Sequence, residues 1–500
     1  MKEEAARYAG GARMKNALRL LTNLLGILFV VFLTILVGRG FQARSLPDLE
    51  PWHRADLGDV RAGELPDTAT LADYLRREDA VFAALKSKVL DVVPEADRTA
   101  NNRYLAGGPL DPTRLGTADG NRTFELVPEK IAGGALLVHG LTDAPYSVRP
   151  VAEALRKLGY YTLAPRMPGH GTAPSGLVTA DWHDWMSVVR LAALHVRAKA
   201  GDGTPFVLVG YSNGGALSVK YAQDVLEGSG LPRPDRIVLM SPMVGLTPLA
   251  GFARIASLLH RIPFFEKNAW LGVVPEYNPY KYNSFPANAG IQTAALTKAL
   301  NAQTERLAAS GRLKDLAPVL TFQSLVDATV STDAIVHRLY DHLPANGSEL
   351  VLFDINRESS LAPFLSRPEK LLADLRARTD LTYRITVVSN ARRDTREVSA
   401  WSAGPGPARI SAAPLGLAWP EGVFSLSHIA IPFPESDDLY GRLPEPPPTF
   451  GLRLGRVTPR GERAVLTVPL DQWMRLTWNP FFPWLEARVA EWAAISSSGR

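Results

Sequence analysis

Residues 205–215 read PFVLVGYSNGG. The run from Phe206 to Val209 has the length and composition of a buried strand, and Gly210 ends it. From Asn213 to Glu227 the chain reads as a helix. Between the two lies Gly210-Tyr211-Ser212-Asn213-Gly214, a G-x-S-x-G sequence at a strand-to-helix turn. In that context the serine sits on a sharp turn with strained backbone. A Cβ at Gly210 or Gly214, the two elbow glycines, would clash with the neighbouring strand and helix. The turn lifts Ser212 Oγ off the carboxyl end of a sheet and sets it at a helix N-terminus, whose partial positive charge favours an anion. Ser212 is the candidate nucleophile, set against the plainer reading of a chance glycine-serine turn.

The same strand–helix rhythm runs outward in both directions. Upstream, ALLVHG (135–140) is a strand ending in glycine, PYSVRPVAEALRKLG (145–159) a helix, and YYTLAP (160–165) a strand. A helix over 180–199 follows, and downstream come strands at 236–242, 317–323 and 349–354. Strands alternating with helices predict an α/β fold with a mostly parallel sheet and helices on both faces. Residues 243–315 break the rhythm with aromatic, Pro-containing sequence and read as a cap insertion. Residues 356–425, with one strand-like run at 383–390 and a Gly/Pro-rich stretch, read as a second, surface insertion. The end, FFPWLEARVAEWAAI, reads as an amphipathic closing helix. Before the sheet, 40–67 reads as a Pro/Gly-rich tether, and 68–93 as a helix with Leu71, Leu75, Phe82, Leu85 and Val89 on one face. No internal repeat is present.

His139-Gly140-Leu141 ends an earlier strand of the sheet. Gly140 lets the backbone turn, so that the Leu141 and Asn213 N–H groups can form an oxyanion hole beside Ser212. One such donor is worth about 2.7–4 kcal/mol of transition-state stabilisation. His139 itself reads as structural.

At this point LLVHGLTDAPYSVRPVAEALRKLGYYTLAPRMPGHG, DWHDW and GYSNGG together resemble the α/β-hydrolase superfamily, and within it the bacterial carboxylesterases and monoacylglycerol lipases. The resemblance spans roughly 130–330, touches the C-terminal third at isolated points, and leaves 1–120 uncovered. It implies an acid within a Q-G-x-x-D-x-x-V pattern, met here by Gln323-Ser324-Leu325-Val326-Asp327-Ala328-Thr329-Val330 with Ser in place of Gly. Asp327 is the implied acid, with Asp333 and Asp354 as rivals. The family's histidine follows the next strand in a short loop, where this chain has none. The order Ser…Asp…His leaves His337, His342 and His428. The first two fall in a helix away from the carboxyl edge, so His428, in a small-polar turn, is the candidate base. Phe264, Phe265, Trp270, Tyr277 and Tyr280 of the cap are candidates for an acyl pocket, or equally for cap packing.

The chain has 500 residues, no cysteine, and a net charge of +5. Without cysteine there are no disulfides, thiolate metal sites or cysteine nucleophile. Residues 1–44 hold seven basic and two acidic side chains, so 7 − 2 = +5 accounts for the whole excess, and the body is neutral. That removes the main sequence support for a nucleic-acid partner.

Leu20 to Gly38, LLTNLLGILFVVFLTILVG, is free of charge and at ~1.5 Å per residue would span about 28 Å. With basic flanks, it reads as a transmembrane anchor after a basic cytoplasmic segment (1–19). The competing cleaved signal peptide would end in a small-x-small site, which GRGFQARS does not supply. An extension (39–122) and the hydrolase domain (123–500) would follow, on the extracytoplasmic side of a bacterial inner membrane.

The expected function is a membrane-anchored serine hydrolase acting on a small acyl ester or lipid, such as a monoacylglycerol or lysophospholipid, with no cofactor and no metal. Thioesterase or amidase chemistry on the same residues, or a catalytically silent binding scaffold, are the alternatives.

Overall fold

The computed structural model describes residues 45–111, 119–245, 263–357, 369–405, 411–442 and 475–494, apart from 67, 421, 422 and 424, together with scattered positions in 19–38. Ten strands form one sheet in the order β1-β3-β2-β4-β5-β8-β9-β10-β11-β12. They are β1 (Phe124–Leu126), β2 (Gly133–Val138), β3 (Tyr160–Ala164), β4 (Phe206–Tyr211), β5 (Arg236–Met240), β8 (Val319–Ser324), β9 (Glu349–Phe353), β10 (Arg384–Asn390), β11 (Glu397–Ala403) and β12 (Ser411–Ala418). β6 (Trp270–Gly272) and β7 (Phe285–Pro286) make a separate small pair. The sheet is parallel from β3 through β10, and antiparallel where β1 meets β3 and from β10 to β12.

The central strands read as unbroken apolar runs because helices cover both faces. Leu136, Val138 and Leu208 point into one core, and Ala135, Leu137, Val207 and Val209 into the other, the period of two expected of a strand. The first core is closed by α3 (Trp182–Ala200), α4 (Asn213–Leu226) and α5 (Ala287–Ala309). The second is closed by α2 (Arg149–Lys157) and, at the end of the chain, α8 (Phe482–Ala494), which buries Leu485, Val489 and Trp492. Strand order reverses at β2, with β3 on one side and β4 on the other. Ligands of open α/β sheets bind outside the strand carboxyl ends at such a switch point.

Three features differ from the sequence reading. The region 356–425, read as surface insertion, continues the central sheet in its described parts as β10, β11 and β12. The strand-like run at 383–390 is β10, while the mixed burial of β11 and the Gly/Pro content of β12 kept those two from reading as strands. Residues 40–67, read as a tether, pack onto the body from Leu49 onward. Trp52 stacks on Tyr104 with ring centroids 5.0 Å apart, and Arg61 donates to Asp184 at 3.2 Å.

The third difference is the anchor. Among the described residues no helix is long and apolar enough to cross a membrane, which overturns the expected transmembrane helix, the single-pass membrane localisation and the membrane as a partner. Apart from the scattered positions in 19–38, residues 20–38 and the basic segment 1–18 lie outside the described residues.

Helix α1 (Leu71–Lys88) starts at a reciprocal cap in which Thr70 Oγ1 accepts from Asp73 N–H and Asp73 accepts from Thr70 N–H. Its buried face is Leu71, Tyr74, Glu78, Val81 and Leu85; of the expected residues Leu71, Leu85 and Val89 are buried, and Leu75 and Phe82 are half-buried beside them. Glu78 meets Arg166 at 3.3 Å, and Asp59 meets the same guanidinium at 2.8 Å; Arg166 has no exposed side-chain surface. Asp59 also accepts from Gly169 N–H at 2.8 Å. The N-terminal extension is thereby bolted to the loop from Pro165 to Gly171. Removing Asp59 leaves Arg166 to Glu78 alone and takes away two charge-assisted hydrogen bonds, at about 1.5–3 kcal/mol each or about 3–5 kcal/mol together. Asp59→Ala is therefore expected to lower unfolding free energy by about that amount in urea titration; a change under about 1 kcal/mol would show the pair to be dispensable.

Candidate active site

β4 delivers Tyr211 to the carboxyl edge, and the chain turns at once into α4. Ser212, between them, has φ 54° and ψ −118°, a left-handed conformation that costs about 1–3 kcal/mol for a side-chain-bearing residue. The turn is held by Ser212 N–H donating to Met240 O (2.9 Å) and by Met243 and Gly215 N–H donating to Ser212 O (both 2.9 Å). A Cβ on Gly214 would lie 2.1 Å from Val138 O, and one on Gly210 2.5 Å from Gly214 O. Neither backbone can yield that far, so both positions require glycine.

Val138 ends β2, and His139-Gly140-Leu141 follows beneath Ser212. A Cβ on Gly140 would stand 3.1 Å from Ser212 Cβ. The His139 ring bridges two backbone groups: Nδ1–H donates to Gly140 O (2.9 Å) and Nε2 accepts from Met167 N–H (3.0 Å). Burial drives its pKa well below the usual histidine range, so the ring is neutral, as those two bonds require. Leu141 is buried in the loop after β2, and Asn213 is the first residue of α4, whose opening amides have no acceptor within the helix.

β8 ends at Ser324, and Asp327 follows in the next loop. One Asp327 oxygen accepts from the Thr329 and Val330 amides at 2.8 and 2.9 Å. The other meets His428 Nδ1 at 2.8 Å, and His428 Nε2 lies 2.9 Å from Ser212 Oγ. Burial raises the Asp327 pKa, but the His428 charge, its hydrogen bond and the two amides outweigh that and hold the carboxyl below its ordinary value. His428 stands on a 3-10 turn, His428–Ala430, capped by Ser427 Oγ accepting from Ala430 N–H. Tyr211 O–H donates to the His428 carbonyl at 3.4 Å.

Ser212, Asp327 and His428 are thus in line, brought together from separations of 101 and 216 residues. The rival groups are engaged elsewhere. Asp354 pairs with Arg357 (2.8 Å), His337 is exposed between Asp333 and Asp341, and His342 lies in the 3-10 turn Tyr340–His342.

Of the candidate pocket residues, Trp270 packs with Leu49, Ala269 and Val273. Tyr277 and Tyr280 join Leu110, Ala144, Phe433, Leu439 and Tyr440 in a cluster between the loops that follow Leu141 and His428. The side chains of Phe264 and Phe265 lie outside the described residues. Among the described residues no group of three or more His, Cys, Asp or Glu could hold a metal ion.

Two buried carboxylates near the site had no signal in the sequence. Asp143, in the loop after Leu141, is pushed up to about 6 by burial, against the opposing pull of Lys281 and the Ala144 amide. Asp437 is likewise raised to about 6 by burial, while accepting from Tyr146 O–H (3.0 Å) and the Leu439 and Tyr440 amides (3.0 and 2.7 Å).

A sequence profile described as the alpha/beta hydrolase family matches residues 135–375. The chain is 30% identical over 198 residues to a thermostable monoacylglycerol lipase of Bacillus sp. (strain H-257), covering 39% of this chain and 71% of that one. Among solved structures, it is similar to a metagenome-derived lipolytic enzyme (22% identity, 52% of this chain and 98% of that one, TM-score 0.37). It is also similar to a monoacylglycerol lipase of Paleococcus ferrophilus (19% identity, 46% and 88%, TM-score 0.36). The profile match ends before β10, so His428 lies beyond it.

A carboxyl whose pKa rises on folding makes the folded state bind the extra proton, so its contribution to stability is present below its unfolded value and is lost as pH rises to the folded one. For Asp437 the window runs from about 4 to about 6. Asp437→Asn, which keeps an acceptor for the two amides, is therefore expected to be more stable than wild type above pH 6, by about 1–3 kcal/mol, with the gap closing below pH 4. Urea titrations at pH 4 and 7.5 measure it; a gap independent of pH would refute the assignment.

Proposed function

The chain belongs to the alpha/beta hydrolase family, and on that premise we propose that it hydrolyses carboxylic esters of small acyl-ester or lipid substrates, monoacylglycerols foremost, through Ser212, His428 and Asp327. The observation that carries this reading is the single imidazole that bridges Ser212 Oγ at 2.9 Å and Asp327 at 2.8 Å. The likeness to a monoacylglycerol lipase over 71% of that enzyme's length supports the substrate class.

The roles follow from the bonds. Asp327, ionised and charge-compensated, accepts from Nδ1–H and so leaves the lone pair on Nε2 facing the serine. As Ser212 Oγ attacks the acyl carbon, its proton passes to Nε2. The carbonyl oxygen becomes an oxyanion, received by the Leu141 and Asn213 amides. Collapse breaks the ester C–O bond, and the proton on Nε2 goes to the departing alcohol. Water then attacks the acyl-Ser212 carbonyl, gives its proton to Nε2, and the carboxylic acid leaves as the proton returns to Ser212 Oγ. The imidazolium that forms at each attack lies between the Asp327 carboxylate and the developing oxyanion, so its charge is met on both sides.

Fluorophosphonate, which reacts only with an activated serine, is expected to label the wild-type protein covalently. Ser212→Ala should abolish the labelling, and His428→Ala should slow it by at least 10³-fold. Asp327→Asn should lower kcat on p-nitrophenyl esters by about 10⁴-fold, since it spoils the tautomer rather than the fold. Labelling undiminished in His428→Ala would move the base to another residue, and no labelling of folded wild type would refute the serine-hydrolase mechanism.

A further inference from the structure

The acid-bearing loop departs from the Q-G-x-x-D pattern at one place, where Ser324 stands for glycine. That residue is the last of β8 and has no exposed surface. Its Oγ–H donates to the carbonyl of Leu426 at 2.8 Å, two residues before His428. Its own carbonyl accepts from Thr332 Oγ1 at 3.1 Å and from the Asp327 amide at 3.2 Å. Two short segments, 324–327 and 426–428, are therefore joined at both ends, once by Ser324 Oγ to Leu426 O and once by His428 Nδ1 to Asp327.

The physical need for a second joint is plain. An imidazole held only by its bond to a carboxylate can swing about that bond. A second bond at the base of the loop removes the swing and sets the direction of Nε2. In this chain Asp327 and His428 stand 101 residues apart, with β9 to β12 between them, so no short connection restrains the histidine. The other supports of the loop come from elsewhere: Ser427 Oγ donates to Leu476 O, Leu426 bridges to Leu476, and Tyr211 O–H reaches the His428 carbonyl. Each places the loop against β4 or the C-terminal segment. Among the described residues, the Ser324 hydroxyl is the side-chain donor that ties it to the strand carrying the acid.

We propose that Ser324 is a positioning residue: its hydroxyl, by holding the Leu426 carbonyl, fixes the angle at which the His428 imidazole meets Ser212. The proposal rests on the Ser212–His428–Asp327 reading above. A bond of this kind is worth a severalfold change in rate, not the collapse that follows loss of the base itself.

The test is steady-state hydrolysis of a p-nitrophenyl ester, together with the rate of fluorophosphonate labelling, in wild type, Ser324→Ala, Ser324→Gly and Ser324→Thr. Circular dichroism confirms that each variant is folded, and glycine offers a second way to remove the hydroxyl should alanine not fold. The expected result is a kcat about 3- to 10-fold lower in the alanine and glycine variants with KM unchanged, labelling slowed by the same factor, and recovery in the threonine variant, which keeps the hydroxyl. A lowered melting temperature with wild-type kcat would make the bond merely structural and overturn the proposal. So would a loss that appears in KM alone. Wild type that fluorophosphonate does not label would sink the triad reading and this proposal with it, whereas labelled wild type beside a fully active Ser324→Ala would sink this proposal alone.

Discussion

Everything at the site depends on how closely the first turn of α4 approaches the end of β2. The Gly214 Cα leaves a gap that one methyl group would overfill, with Val138 O and His139 O both within 2.6 Å of where a Cβ would sit. That contact fixes the distance between the serine turn and the Gly140-Leu141 turn, because one follows β4 and the other β2 in adjacent parallel strands. It also forces Ser212 into left-handed backbone, a strain met by the backbone bonds to Met240, Met243 and Gly215. Ser212 and the nearby amides are therefore preorganised by the sheet itself rather than assembled on loops.

The rest of the chain supports that centre from two sides. On one, Asp59 and Glu78 neutralise Arg166 and hold the Pro165–Gly171 loop, whose Met167 amide in turn fixes the neutral His139 ring against Gly140 O. A stretch with the composition of a linker thus reaches, through four residues, to the backbone next to the nucleophile. On the other, the described parts 426–442 and 475–482 carry His428 and pack against β4, β8 and the second core. The cluster of Tyr146, Tyr280, Phe433 and Tyr440 joins the two sides, with Tyr146 stacked on Tyr280 at 3.9 Å and Phe433 on Tyr440 at 4.1 Å.

Local order made part of this legible. G-x-S-x-G between strand and helix identifies Ser212 because the turn's steric demands select the residue types within five positions. The parallel sheet could be read from apolar runs because every position of β2, β4 and β8 is buried, and β2 and β4 answer that burial with almost unbroken apolar sequence. On α1 the apolar face was legible, but the burial of Glu78 was not, because the partner that holds it lies 88 residues away. β10 is legible as the apolar run within 383–390, whereas β11 and β12, which carry Ser, Gly and Pro and leave much of their length exposed, give no such run. Hydropathy reads an anchor in 20–38, yet no described helix is both long and apolar enough to cross a membrane.

The sequence by itself determined the fold class and the candidates for the nucleophile and its partners, since each is written in a pattern no longer than a turn, a strand or a helix. What only the tertiary structure decided is which pieces meet: that His428 Nε2 faces Ser212 across 216 residues, that Asp59 and Glu78 share Arg166, and that Ser324 reaches Leu426. The reason is that a hydrogen bond between distant residues imposes no periodicity on the chain around it. Its donor and acceptor are ordinary polar residues until the sheet brings them within 3 Å.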